Sequence, residues 1–332
     1  MREIKVGKNE AGQRLIRIAS KYLRTAPDSF LYKMLRKKNI VLNGRKATGR
    51  EILSDGDLVR FYLSEDTVAA FGGPAQTAAD DSLPPVPEGF DKAVIFENED
   101  VLLFNKPAGM LSQKAKSDDH SLVEMITRHM LDCGEITAED LATFTPGIIS
   151  RLDRNTSGII LAGKSLAALQ YLNELARGHQ IRKIYEAVVE GIPETEGIMT
   201  GYWVKDHDRN CVRITEEPVP GSAEVLTRVS VLSSGRDEKS GKMYSRVSVE
   251  LMTGKGHQIR AHLAGTGHPL CGDSKYGGAH CPFRKGQMLH ARKLIFPEIS
   301  GKAGDGLAAL SRMEFTAPYP DDFTRLCEAY SL

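Results

Sequence analysis

The sequence predicts an α+β protein of two domains joined by a linker. Three observations carry this. The chain has 332 residues, and domains run to about 150 residues each. Charge divides it unevenly: residues 1–62 hold 15 Lys and Arg against 6 Asp and Glu, residues 63–91 hold 6 acids and no base, and residues 92–332 hold 29 bases and 31 acids. The long C-terminal part mixes short strand-like runs with a few helical ones, a pattern of segregated elements rather than regular βαβ alternation.

The first domain, residues 12–62, opens with Leu15, Ile18, Ala19, Tyr22 and Leu23 at helical spacing. Pro27-Asp28-Ser29 ends that helix and offers caps for a second, which turns Phe30, Leu31, Met34 and Leu35 inward. Lys33, Arg36 and Lys37 share a face of this second helix, and Lys38 follows. Ile40-Val41-Leu42, the turn pair Asn43-Gly44 and Arg45-Lys46 read as a hairpin. Leu58 to Phe61 reads as a closing strand. A basic helix running into a basic hairpin can present a row of cations to phosphates. The domain's excess of bases, hidden in a chain whose net charge is +1, points the same way, to a polyanion such as nucleic acid.

Residues 63–91 include Gly72-Gly73-Pro74 and Leu83-Pro84-Pro85-Val86-Pro87 and have few large apolar side chains, so they are expected to be a flexible acidic, Pro-containing linker. The remainder, residues 92–332, carries strands at Val94 to Phe96, Val101 to Phe104, Tyr185 to Val189 and Ser245 to Leu251. A helix is expected from Leu166 to Leu175, and a polar hairpin tip from Ser233 to Lys242. No apolar run approaches the eighteen or so residues of a membrane helix, and the start lacks the apolar stretch of a signal peptide. Five scattered cysteines without a CxxC pair read as reduced thiols. A cytoplasmic protein is expected. His257, His262 and His268 follow no standard zinc spacing, no GxGxxG or Walker-type loop is present, and Thr156-Ser157-Gly158 lacks the flanking glycine of a serine-hydrolase elbow. Neither a metal nor an organic cofactor is expected.

The segment Ser150-Arg151-Leu152-Asp153-Arg154-Asn155-Thr156-Ser157-Gly158 places charges between two strongly apolar runs. Such placement is costly unless the charges are paired or functional. Asp153 between two arginines is either an ionised nucleophile or part of a turn with Asn155, Thr156 and Ser157.

Two resemblances bear on that choice. Residues 12–62, through Arg14-Leu15, Leu35-Arg36-Lys37-Lys38 and Val41-Leu42-Asn43-Gly44, resemble the S-four-type RNA-binding domain, with Ile16 standing where that family usually has Asp. Arg151-Leu152-Asp153 with Thr156-Ser157-Gly158 resembles the signature of RluA-type pseudouridine synthases. That likeness continues in order through Phe104 to Gly109, Lys183-Ile184-Tyr185, Thr253 to Leu263, Gly267 to Gly277 and Leu289-His290-Ala291. It implies a mixed, mainly antiparallel sheet with flanking helices, preceded by a small α/β RNA-binding domain.

The implied reaction isomerises a uridine in RNA to pseudouridine, with Asp153 as nucleophile, Tyr185 against the uracil and active in proton transfer, and Arg260 paired with Asp153. Leu289 would line the uracil pocket. Attack on the base and attack on the sugar both fit. The target base would have to be extruded, and Arg151 and Arg154 are both candidates to support the extruded nucleotide. Lys33, Arg36, Lys37, Lys38, Arg45 and Lys46 would contact RNA. Ser150 and Lys255-Gly256 depart from the family pattern beside the Asp153 and Arg260 positions, which puts fine substrate choice in question. An S-four-type domain ahead of this catalytic domain points to large-subunit (23S-type) ribosomal RNA, with transfer RNA second. A non-catalytic RNA-binding ribosome-assembly factor and a uracil-releasing N-glycosidase are the rivals from other classes. A monomer is expected.

Overall fold

The apolar stripe at the start of the chain is buried because the chain folds it onto a small sheet. The structure is a computed structural model describing residues 1–7, 9–72, 83–116, 118–138, 140–194, 197–206, 211–300 and 304–332. Its elements fall into two compact units: residues 1–88, 123–147 and 163–170 form the first, and residues 89–122, 148–162 and 171–332 the second.

In the first unit, strand β1 (Arg2–Lys5) is followed by helices α1 (Leu15–Tyr22) and α2 (Asp28–Arg36), strands β2 (Ile40–Leu42), β3 (Arg45–Lys46) and β4 (Leu58–Phe61), and helix α3 (Glu65–Gly72). Leu15 and Ile18 of α1 and Leu31 and Leu35 of α2 are almost fully buried with Ile40, Leu53 and Phe61. Each such side chain contributes about 1.5–3 kcal/mol of apolar burial. Helix α2 starts at Pro27 and has Asp28 in its first turn, where a carboxylate complements the helix dipole. It closes with Lys38 in the left-handed region (φ 62°), while the amides of Lys38 and Asn39 return to the carbonyls of Leu35 and Met34. Asn43 (φ 49°) and Gly44 (φ 72°) turn the β2–β3 hairpin, pairing Leu42 with Arg45 and Val41 with Lys46. The sheet order is β1-β4-β2-β3.

Two features differ from the sequence expectation. Strand β1 adds residues before position 12 to this sheet, pairing Ile4 with Val59. The stretch expected to be linker begins with α3, whose Phe71 packs on Phe30 with ring centroids 4.6 Å apart and whose Phe71 carbonyl accepts the Thr25 amide. One aromatic at the right place anchors a helix that overall composition hid. Residues 73–82 of the expected linker lie outside the described residues. The unit also includes residues 123–147, where the Thr143 hydroxyl donates to Glu10 Oε1 at 2.6 Å and Lys21 Nζ donates to the Thr143 carbonyl.

The second unit opens with helix α4 (Phe90–Ala93) and strands β5 (Val94–Glu97) and β6 (Val101–Lys106); helix α5 (Leu122–Asp132), next in the chain, belongs to the first unit from Val123 on. Strands β7 (Gly147–Ile148) and β8 (Ser157–Gly163), helix α6 (Leu166–Arg177) and strands β9 (Arg182–Glu190), β10 (Gly197–Asp206), β11 (Cys211–Thr215), β12 (Ala223–Arg236) and β13 (Met243–Leu251) follow. The chain ends with helix α7 (Gln258–Gly265), strand β14 (Leu289–Ile295), helix α8 (Asp305–Ala308), strand β15 (Glu314–Thr316) and helix α9 (Asp321–Ala329). Among the described residues the strands form one eleven-stranded sheet in the order β11-β10-β12-β13-β9-β14-β8-β6-β5, with β15 on β14 and β7 on β8. Pairing is antiparallel from β11 through β14, whereas β14 and β8 are parallel. The fold is therefore α+β with a mainly antiparallel sheet.

Strand β8 is buried along its whole length, which explains its unbroken apolar run: a strand covered on both faces does not alternate. Gly158 opens it with φ 110°, and a Cβ there would lie 2.2 Å from the Ala291 carbonyl oxygen. Only glycine lets β8 approach β14 this closely. The five cysteines are free thiols, with Cys271, Cys281 and Cys327 buried in a cluster that includes Val188, Met288 and Phe323. Among the described residues no helix is long and apolar enough to cross a membrane.

Candidate active site

The loop between β7 and β8 carries Asp153, and its backbone is clamped by the segment after β6. Ser112 Oγ donates to the Leu152 carbonyl at 2.7 Å and accepts the Leu152 amide at 3.1 Å. Gly109 donates its amide to the Arg154 carbonyl at 2.8 Å, and Arg154 Nε returns to the Gly109 carbonyl at 3.0 Å. Beneath them Lys106, wholly buried, donates from Nζ to the carbonyls of Pro107, Met110 and Arg154 at 2.9, 3.0 and 3.1 Å. Its ammonium is pushed down to about 7, mainly by burial and then by Arg284, with Asp153 pulling the other way. The amide of Thr156 donates to the Asp153 carbonyl at 3.0 Å, so Asp153 sits in a turn that is fixed on both sides.

The Asp153 carboxylate is within reach of solvent, its side chain 29% exposed. Arg260, from the first turn of α7, donates Nη1 to Asp153 Oδ2 at 2.7 Å. Its other nitrogens fork onto Asp273: Nε to Oδ2 and Nη2 to Oδ1, both at 2.7 Å. Asp273 is 1% exposed and Arg260 8%, so the fork is a buried, two-point ion pair of the kind that fixes a guanidinium plane. Burial opposes the Arg260 charge, but Asp273 first and Asp153 second hold its pKa above the usual arginine value. Gln258 pins the loop ahead of α7: its Oε1 accepts the Lys255 amide and the Thr253 hydroxyl, and its Nε2 reaches the Leu226 carbonyl and Thr227. The indole N–H of Trp203 holds the Gly256 carbonyl at 2.9 Å.

Tyr185 on β9 is buried, and its phenol is pushed well above the ordinary tyrosine range, first by burial and then by the Asp153 charge. It is a protonated, flat group beside the carboxylate. Leu289 pairs with Ala187 and Ala291 with Tyr185 across β14 and β9, so Leu289 and Tyr185 lie on one face of the sheet. Arg151 is exposed at the loop, whereas Arg154 is partly committed to the Gly109 carbonyl. In the first unit Lys33, Arg36, Lys37, Lys38, Arg45 and Lys46 are all exposed.

Three groups have a place here that the sequence reading gave no role: Lys106, Asp273 and His257. His257, weighed only as a metal ligand, has Nε2 3.7 Å from Asp153 Oδ2. The other two histidines of that set point elsewhere, His262 Nδ1 to Thr227 Oγ1 at 2.7 Å and His268 Nδ1 to the Glu190 carbonyl at 2.8 Å.

A partly exposed carboxylate oriented by an arginine, its charge acting on the protonated phenol of Tyr185, can do covalent or acid–base work. Comparison with known proteins agrees in kind. The fold matches that of the human RNA pseudouridylate synthase domain containing 4, with a TM-score of 0.56 and 17% identity over 76% of this chain and 97% of that one. The family profile described as RNA pseudouridylate synthase matches residues 100–265, half of the chain, and the chain belongs to that family. It is an isomerase acting on RNA. An uncharacterized RNA pseudouridine synthase of Mycoplasma genitalium is 29% identical over 93% of this chain and 94% of its own length. Ribosomal large subunit pseudouridine synthase D of Neisseria meningitidis is 27% identical over 97% of this chain and 80% of its own. Ribosomal large subunit pseudouridine synthase C of Pasteurella multocida is 29% identical over 88% and 84%.

Proposed function

We propose that this chain isomerises specific uridines of large-subunit (23S-type) ribosomal RNA, with Asp153 as the nucleophile. The observation that carries the catalytic part is the Asp153 carboxylate itself, partly exposed at a clamped turn and held through Oδ2 by a buried arginine. The bond from ribose C1′ to uracil N1 breaks, and a bond from C1′ to carbon-5 forms. The carbon-5 proton leaves and N1 gains one, so the reaction balances without a redox partner. Arg260 orients Asp153, Tyr185 lies against the uracil and takes part in moving the proton as a protonated phenol, and Leu289 lines the pocket. Arg151 supports the extruded nucleotide, since Arg154 is partly engaged by Gly109.

The choice of ribosomal RNA rests on the relatives named as large-subunit synthases. It rests also on reading residues 12–62 as an S-four-type RNA-binding domain, with its six exposed cations as phosphate contacts. A basic module adds affinity through linkage while the catalytic unit selects the uridine. The test is pseudouridine mapping of total RNA from cells lacking the protein, complemented with wild type or Asp153→Ala. Large-subunit sites lost and restored only by wild type are the expected result. Loss confined to transfer RNA would overturn the target, and restoration by Asp153→Ala would overturn the nucleophile.

A further inference from the structure

We propose that His257 is a positioning residue for Asp153, held by Tyr276 so that it and Arg260 address one carboxylate oxygen and leave the other to react. The inference rests on the reading of Asp153 as nucleophile. Strand β11 is the last strand, and the Val212 amide donates to Tyr276 Oη at 2.9 Å. Tyr276 Oη is also 2.9 Å from His257 Nδ1. The phenol is pushed up to about 12, first by burial, so it keeps its proton throughout the working range. With Oη accepting the amide, that proton is available to Nδ1. A neutral imidazole carries one N–H; with Nδ1 accepting from Tyr276 it is on Nε2, which faces Asp153 Oδ2 at 3.7 Å. The opposite tautomer would aim a lone pair at a carboxylate.

The groups acting on the imidazole are Asp153, Asp273, Arg260, Lys275 and Tyr276. Burial first, with Arg260 and Lys275 adding, lowers the His257 pKa below its usual value, while Asp153 and Asp273 oppose. It is therefore neutral at neutral pH and offers one N–H. Two further observations agree. His257 has φ 57°, a left-handed conformation that costs a side chain unless something over-determines it. The Tyr276 ring also lies under the Arg260 guanidinium at 4.9 Å, so one phenol supports both groups that face Oδ2. Among the described residues Oδ2 takes the Arg260 bond, and Oδ1 accepts none. At 3.7 Å the imidazole is just beyond hydrogen-bond range and acts on Oδ2 as a facing dipole.

The experiment measures single-turnover pseudouridine formation and RNA affinity, with total RNA from cells lacking the protein as the substrate. His257→Leu, His257→Gln, Tyr276→Phe and Asp153→Ala are compared with wild type, and thermal unfolding is recorded for each. His257→Leu is expected to slow the rate by up to about 100-fold, the scale of a misplaced reacting group, with affinity unchanged. His257→Gln keeps an N–H donor and is expected to recover about tenfold of that loss, one hydrogen bond's worth. Tyr276→Phe should be slowed with affinity intact, and it keeps the idea testable should His257→Leu unfold. A wild-type rate in His257→Leu, no recovery in a folded His257→Gln, or affinity falling in step with rate would each overturn it. An active Asp153→Ala would instead defeat the underlying assignment of the nucleophile.

Discussion

Lys106 and Arg154 are 48 residues apart in sequence, and the lysine Nζ donates to the arginine's backbone carbonyl at 3.1 Å. The bond ties the turn that carries Asp153 to the end of β6. Lys106→Met should loosen it, since the carbonyls of Pro107, Met110 and Arg154 lose their shared donor and a buried unsatisfied polar group costs about 1–3 kcal/mol. The rate of pseudouridine formation should fall with it. There is also a signature in pH. The folded pKa of about 7 lies below the ordinary 10.5, so the unfolded chain binds more protons between those values. Stability from this group is lowest below about 7 and rises as pH climbs toward 10.5. Melting temperatures of wild type and Lys106→Met at pH 7 and 9 check this: the gain on raising the pH should shrink in the variant.

Asp273 and Asp153 both bind Arg260, yet their loss should have opposite signatures. Asp273→Ala strips two of the three bonds from a buried guanidinium, and breaking such a pair costs about 3–5 kcal/mol. Urea unfolding should show a large drop in midpoint. Asp153→Asn removes a charge at the solvent-reached turn and leaves the Asp273 fork in place. It should unfold near the wild-type midpoint and form no pseudouridine. Equal midpoints for the two variants would contradict this division of labour.

Gly158→Ala tests the close approach of β8 and β14. The added methyl would meet the Ala291 carbonyl oxygen at 2.2 Å in a backbone with φ 110°, and the backbone strain alone costs about 1–3 kcal/mol. Because β8 leads directly from the Asp153 turn, activity should fall with stability. A variant that matches wild type in both urea midpoint and rate would show that the strand pair can part without harm.

How far the sequence makes this legible depends on whether a feature is local. The stripe Leu15, Ile18, Ala19, the Asn43-Gly44 turn and the buried run of β8 are written in consecutive residues, and the strands and helix expected in residues 92–332 are present. Ordered motifs single out Asp153 and Arg260 as candidates, and the fold pairs the two. The partners that hold them could not. Lys106 bonds carbonyls, which every residue has, and His257 differs from His262 and His268 only by what lies across the fold. Strand β1 is mostly exposed and charged, so it shows no apolar pattern, and α3 is held by the Phe71 ring, Thr25 and Arg2, partners that its own acidic stretch does not announce.

The exposed cations of the first unit give a prediction that separates binding from chemistry. Leu31, Met34 and Leu35 take the buried side of α2, which leaves Lys33 and Arg36 facing solvent with Lys37 at its end. Each phosphate contact releases condensed counterions, so the logarithm of affinity falls with the logarithm of salt by about 0.7–0.9 per contact. Replacing Lys33, Arg36 and Lys37 together by glutamine should weaken RNA binding at low salt and flatten that slope by about two units, if each cation meets one phosphate. Glutamine keeps a polar side chain and the helix propensity, so the fold should survive. The single-turnover rate at saturating RNA should hold, because none of the three belongs to the unit that carries Asp153. An unchanged salt slope would mean that this face does not meet the RNA backbone, and a lost rate at saturation would mean that the first unit does more than bind.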